Sequence, residues 1–81
     1  MHELSIAVNI AQVAAEEAQR LGQPRVTAVH VRVGEWSGVV KEALLFAWPS
    51  VSPWRLEIEE APGRELQLTA LEVGDDDAEA G

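Results

Sequence analysis

The stretch RVTAVHVRVG, residues 25–34, constrains this chain more than any other. Val29, Val31 and Val33 alternate with Ala28, His30 and Arg32, the period-two pattern of a β-strand with one face turned to a core. Gly34 closes it, and Gly22 and Pro24 stand before it as a helix stop. Upstream, Ser5 to Leu21 carries apolar residues at helical spacing. Ile6, Ile10, Val13, Ala14 and Leu21 form the stripe, Ala7, Ala11 and Ala18 fill it in, and Glu16, Glu17 and Arg20 lie toward the other face.

Downstream, EWSGVV reads as a turn in which Ser37 is placed to cap the next helix. That helix runs from Val39 to about Ala47, with Val40, Ala43, Leu44 and Ala47 as its apolar stripe, and Pro49 and Pro53 forbid its continuation. Trp54–Glu60 is a second strand, with Leu56 and Ile58 on one face and Glu57 and Glu59 on the other. APGR is a turn, and Glu65–Val73 is a third strand with Leu66 and Leu68 inward. Leu71 and Val73 break that parity, which predicts a bulge or an edge. The order αβαββ implies an α/β (α+β) fold, two helices on one face of a three-stranded mixed sheet. Strands one and two are expected to be parallel through the crossover, and strands two and three an antiparallel hairpin.

The 81 residues make one small domain, and a hydrophobic share of 47% is enough for a core. No cysteine is present, which removes disulfides, thiolate catalysis and Cys-based zinc sites and fits a reducing compartment. The formal net charge is −8. The closing GDDDAEAG supplies Asp75, Asp76, Asp77 and Glu79, and residues 74–81 are expected to form a disordered acidic tail. The rest of the chain, with 10 acids against 6 bases, still carries −4. Such a balance argues against nucleic acid, which needs a basic footprint, and against an anionic membrane surface. Neither a signal peptide nor a membrane span is visible, so a cytoplasmic protein is expected.

Little in the chain suggests catalysis. Ser5, Ser37, Ser50 and Ser52 sit in no nucleophile motif, no phosphate-binding glycine loop is present, and the DDD run does not match a calcium loop. The chain reads as a non-enzyme. Trp48 and Trp54 bracket the proline-rich corner, and Trp36 lies between strand and helix. Packing into a core or corner is the plain reading of all three, with Trp36 the candidate for an exposed partner contact. His30 reads as a surface residue beside Arg32 and strand acids such as Glu57.

The opening Met1-His2-Glu3 leaves two readings. One is an ordinary helix start, with a solvated His2 and with Glu3 favoured by the helix dipole. The other is a metal claw. The amine of Met1 and the amide and imidazole nitrogens of His2 can close fused chelate rings around a tetragonal ion such as Ni(II) or Cu(II), with the Glu3 carboxylate nearby. Initiator Met is retained before a residue as large as His. From these residues alone the helix start is the simpler reading.

MHELSIA, RVTAVHVRVGEWSGVVKEALLFA, LEIEEAPGR and ELQLTALEV, taken in order over residues 1–73, resemble the HypA-type hydrogenase-maturation nickel metallochaperones. The resemblance implies a small nickel-binding α/β domain whose metal site is Met1, His2 and Glu3, and it tips the choice to the claw. It also implies Ni(II) as cargo, with a nickel-delivery GTPase and the large subunit of [NiFe] hydrogenase as partners; some relatives serve urease. Relatives carry a zinc domain with two C-x-x-C pairs between the second and third strands. Here the sequence runs EEAPGRELQL, so that domain is expected to be missing between residues 63 and 65, and no zinc is expected. PSVSPW is also shorter than the family's usual segment. The alternative is a metal-independent adaptor derived from the family, recognising partners through Trp36.

Overall fold

The computed structural model describes residues 3–22 and 24–74. Its elements are α1 (Glu3–Arg20), β1 (Val26–Gly34), α2 (Lys41–Ala47), a 3-10 turn (Trp48–Ser50), β2 (Arg55–Ala61) and β3 (Leu66–Val73). The order is αβαββ, and the sheet is mixed, with β1 in the centre. Val29, Val31 and Val33 meet Ile6, Ala7, Ile10 and Ala14 of α1, and Leu44, Trp48 and Leu56 complete the core. Both helices therefore cover one face, as the pattern predicts.

The strand order differs from the expected one. β1 pairs parallel with β2 and antiparallel with β3, so β2 and β3 flank it and form no hairpin. The four residues Pro62–Glu65 cross the end of β1 from one edge to the other. That gap is two strand spacings, about 10 Å, within reach of four residues at about 3.3 Å each. Three amides hold the crossing segment. Gly34 N–H donates to Glu65 O, Glu35 N–H to Ala61 O and Trp36 N–H to Gly63 O, each at 2.8 Å.

The broken parity of β3 resolves into a bulge. His30 pairs with Ala70 and Val31 with Leu68, which leaves Thr69 as the extra residue. Leu66, Leu68 and Leu71 thereby all pack against the core. The Thr69 hydroxyl donates to the His30 carbonyl at 3.2 Å. A second irregularity falls at Thr27 in β1, whose hydroxyl donates to Glu72 O at 3.1 Å.

The helices are also trimmed differently. In α1 the buried residues are Ile6, Ala7, Ile10, Ala14 and Ala18, whereas Val13 and Leu21 of the expected stripe are exposed. Three alanines keep that stripe narrow, and the helix backbone comes closest to α2 and β3. Gly22, at φ +92°, ends the helix as expected, its amide donating to Gln19 O. In α2 only Leu44 is buried, and Val40 is exposed. Ser37 does not cap α2. Its Oγ accepts from Val39 N–H, while Val40 stands at the N-cap. Gly74, the first residue of the expected tail, donates its amide to Arg25 O at 2.7 Å, and residues 75–81 lie outside the described residues.

Trp48 is 3% exposed, and its indole N–H donates to the Trp54 carbonyl, which fastens the chain between α2 and β2. Trp48→Phe keeps a ring in the core but removes the donor. It should cost about 1–2 kcal/mol, read as a lower urea midpoint at unchanged slope.

Candidate metal centre

Met1 and His2 lie outside the described residues, so the expected ligand set is visible only at Glu3. Glu3 opens α1, where its charge suits the helix dipole. Its carboxylate Oε2 accepts the Val40 N–H at 3.2 Å. Val40 is the N-cap of α2 and has no polar side chain to satisfy its helix start. Glu3 supplies an acceptor from the other helix, and the starts of α1 and α2 are joined. Sequence reasoning missed this link because it assigned the capping role to Ser37, the nearest residue with a suitable side chain.

The loop between β1 and α2 is tied at both ends. Glu35 and Trp36 bond the Ala61–Gly63 carbonyls at one end, and Val40 bonds Glu3 at the other. Trp36 projects from it, 72% exposed, and so does not pack into the core as the plain reading of the three tryptophans has it.

The face of the sheet away from the helices carries an ion-pair network. His30 Nε2 lies 3.1 Å from Glu72 Oε1, and Arg55 reaches Glu72 at 2.9 Å and Glu57 at 2.6 Å. Arg55 and Glu72 are both in register with Ala28 of the central strand, so their bridge passes over it. This explains why Ala28, on the outward face by parity, is fully buried. His30 thus has an acid partner as expected, but that acid is Glu72 of β3, with Glu57 its register neighbour.

The hydrogen bond from His30 holds the Glu72 carboxyl below the usual carboxylate range. Slight desolvation opposes this, and the Arg55 charge adds to the lowering. A depressed carboxyl contributes stability that is present above its unfolded value, about 4.3, and lost as pH falls through the folded value. Glu72→Gln should therefore flatten the loss of stability on acidification below about pH 4.3, measured as Tm against pH. Among the described residues no group of three or more His, Asp or Glu side chains is placed to hold a metal ion. No helix among them is long and apolar enough to cross a membrane.

The sequence matches, over residues 1–73, the family described as hydrogenase/urease nickel incorporation, metallochaperone, hypA. The chain belongs to this family. Among similar proteins is the hydrogenase maturation factor HypA of Roseiflexus sp. (strain RS-1), 37% identical over 120 positions that take in 99% of this chain and 98% of that protein. The HypA of Deinococcus radiodurans is 44% identical over 69 residues, covering 78% of this chain and 58% of that protein. The HypA of Chloroflexus aurantiacus is 50% identical over 48 residues, 59% of this chain and 42% of that protein. This chain therefore spans about half the length of the latter two relatives.

The Roseiflexus alignment is 39 positions longer than this 81-residue chain, so at least that many positions of the HypA relative have no counterpart here. The HypA family is one of maturation factors for nickel incorporation. Membership in it favours the metal-delivery reading over the adaptor.

Proposed function

We propose that this chain is a nickel-binding metallochaperone domain that holds Ni(II) for hydrogenase maturation. The ligands are the Met1 amine and the imidazole and amide nitrogens of His2, with Glu3 completing the motif. The observation that carries this reading is the family match, which begins at the Met1-His2-Glu3 motif. Amine, amide and imidazole nitrogens on consecutive residues form a donor set suited to tetragonal Ni(II), and a cysteine-free chain offers no thiolate to compete. The ion is cargo, received and passed on in the cytoplasm. Its recipients are a nickel-delivery GTPase and the large subunit of [NiFe] hydrogenase.

In this reading the chain is the nickel domain alone, covering residues 1–73. The family's zinc domain is missing from the segment that crosses β1, between Gly63 and Glu65. That segment is already fastened by Gly34, Glu35 and Trp36, so the sheet closes without an inserted domain.

Calorimetric titration of Ni(II) into an untagged chain beginning at Met1, beside His2→Ala, tests the proposal. The wild type should bind one ion, and His2→Ala should lose most of that affinity. Amine and imidazole must be unprotonated and the His2 amide must give up its proton to bind, so affinity should fall as pH drops, more steeply below about 8 and again below about 6.5. Equal binding by the two proteins would overturn the reading.

A further inference from the structure

We infer that the Glu3 side chain serves the metal site as a positioning residue, through its bond to the Val40 amide, and is not itself a nickel ligand. The inference rests on the nickel reading above and goes beyond it by separating the roles within the motif.

Glu3 is the residue next to His2, and its backbone starts α1. Every ligand of a metal site must give up conformational freedom when the ion binds. An anchor one peptide away from the imidazole-bearing residue reduces that freedom. The contact between Glu3 Oε2 and Val40 N–H, at 3.2 Å, is such an anchor. It joins the first residue of α1 to a backbone that is itself held. Val40 O accepts from Leu44 N–H within α2, and Leu44 is fully buried in the core. The core thus constrains the residue beside the claw through two hydrogen bonds.

The chemistry of the donors points the same way. Three nitrogens from Met1 and His2 already suit a tetragonal ion, to which a carboxylate oxygen is the weaker partner. The Val40 amide, at the start of a helix, needs an acceptor and finds this one. Outer groups that orient metal ligands are typically worth about 10–100-fold in affinity.

Two conservative variants separate the roles, because ligation and positioning ask for different properties. Glu3→Gln keeps the length and a carbonyl oxygen to accept from Val40, but gives up the carboxylate. Glu3→Asp keeps the carboxylate but is one methylene too short to reach Val40. Three readouts are taken on the full chain beginning at Met1: Ni(II) affinity, the visible absorption of the bound ion, and hydrogen exchange of the Val40 amide without metal.

Positioning predicts that Glu3→Gln binds within about twofold of wild type and keeps both the spectrum and the Val40 protection. It predicts that Glu3→Asp loses about tenfold in affinity and exchanges Val40 faster. The proposal is overturned if Gln loses affinity while Asp keeps it, if both lose it, or if neither does. His2→Ala, run alongside, reports on the nickel reading itself, and Val40 exchange is measured without nickel. Failure of the claw and failure of the positioning role therefore give different results.

Discussion

Gly34→Ala should lower the stability of this domain by about 3 kcal/mol, one of the costliest single changes open to it. A methyl group built on Gly34 would stand 2.4 Å from Gly63 O and 2.9 Å from Arg64 N. Both are backbone atoms of the segment that crosses β1, and no side chain can swing away to make room. To accept the methyl the crossing must lift, and the bonds from Gly34, Glu35 and Trp36 to Glu65, Ala61 and Gly63 would lengthen together. For a domain of this size the change should lower Tm by more than about 10 °C. Gly38→Ala is the natural comparison. Its φ of +83° also disfavours a side chain, but nothing lies within 4 Å of the added carbon, so only the local penalty of about 1 kcal/mol applies. Equal, small shifts for both variants would mean that the crossing is not packed on β1 as described.

The same crossing marks where sequence reading stopped. The alternation in residues 25–34, the stop at Gly22 and the broken parity of β3 each have a local cause, and each element appeared close to its expected place. Strand order has no local cause. APGR reads as a tight turn, and tight turns usually join neighbours in a sheet. What bears on the order is that six of the nine residues of β1 are buried, while β2 carries Arg55, Glu57, Glu59 and Glu60. A central position buries β1 between two strands and leaves the charged β2 at an edge, where charges are tolerated. The burial of Ala28 was hidden for a similar reason. It depends on Arg55 and Glu72, 17 positions apart, meeting above it from opposite edges.

The candidate site was legible as a motif but not as a geometry. Met1-His2-Glu3 shows which donors stand in sequence, and the family match over residues 1–73 gives them their context. The partner of the Glu3 carboxylate is a backbone amide 37 residues away, on a valine that no side-chain pattern would single out. Trp36 is similar: its neighbours suggest a turn, but its 72% exposure follows from how the loop is tied at Gly63 and Glu3.

The second large effect concerns the α-amine of Met1. In the claw, this nitrogen shares a chelate ring with the His2 amide, so losing it removes a ligand and the ring it closes. Donors linked in one chain reinforce one another by about a hundredfold or more, because each holds the next at high effective concentration. Acetylating the amine leaves every side chain in place and removes only this donor with its positive charge. The most direct measurement is therefore a Ni(II) titration of the chain beginning at a free Met1, beside the same chain acetylated at that amine. A nickel claw predicts one tightly bound ion for the free amine and an affinity lower by about a hundredfold or more after acetylation. Unchanged affinity in the acetylated chain would contradict it and place any bound nickel elsewhere.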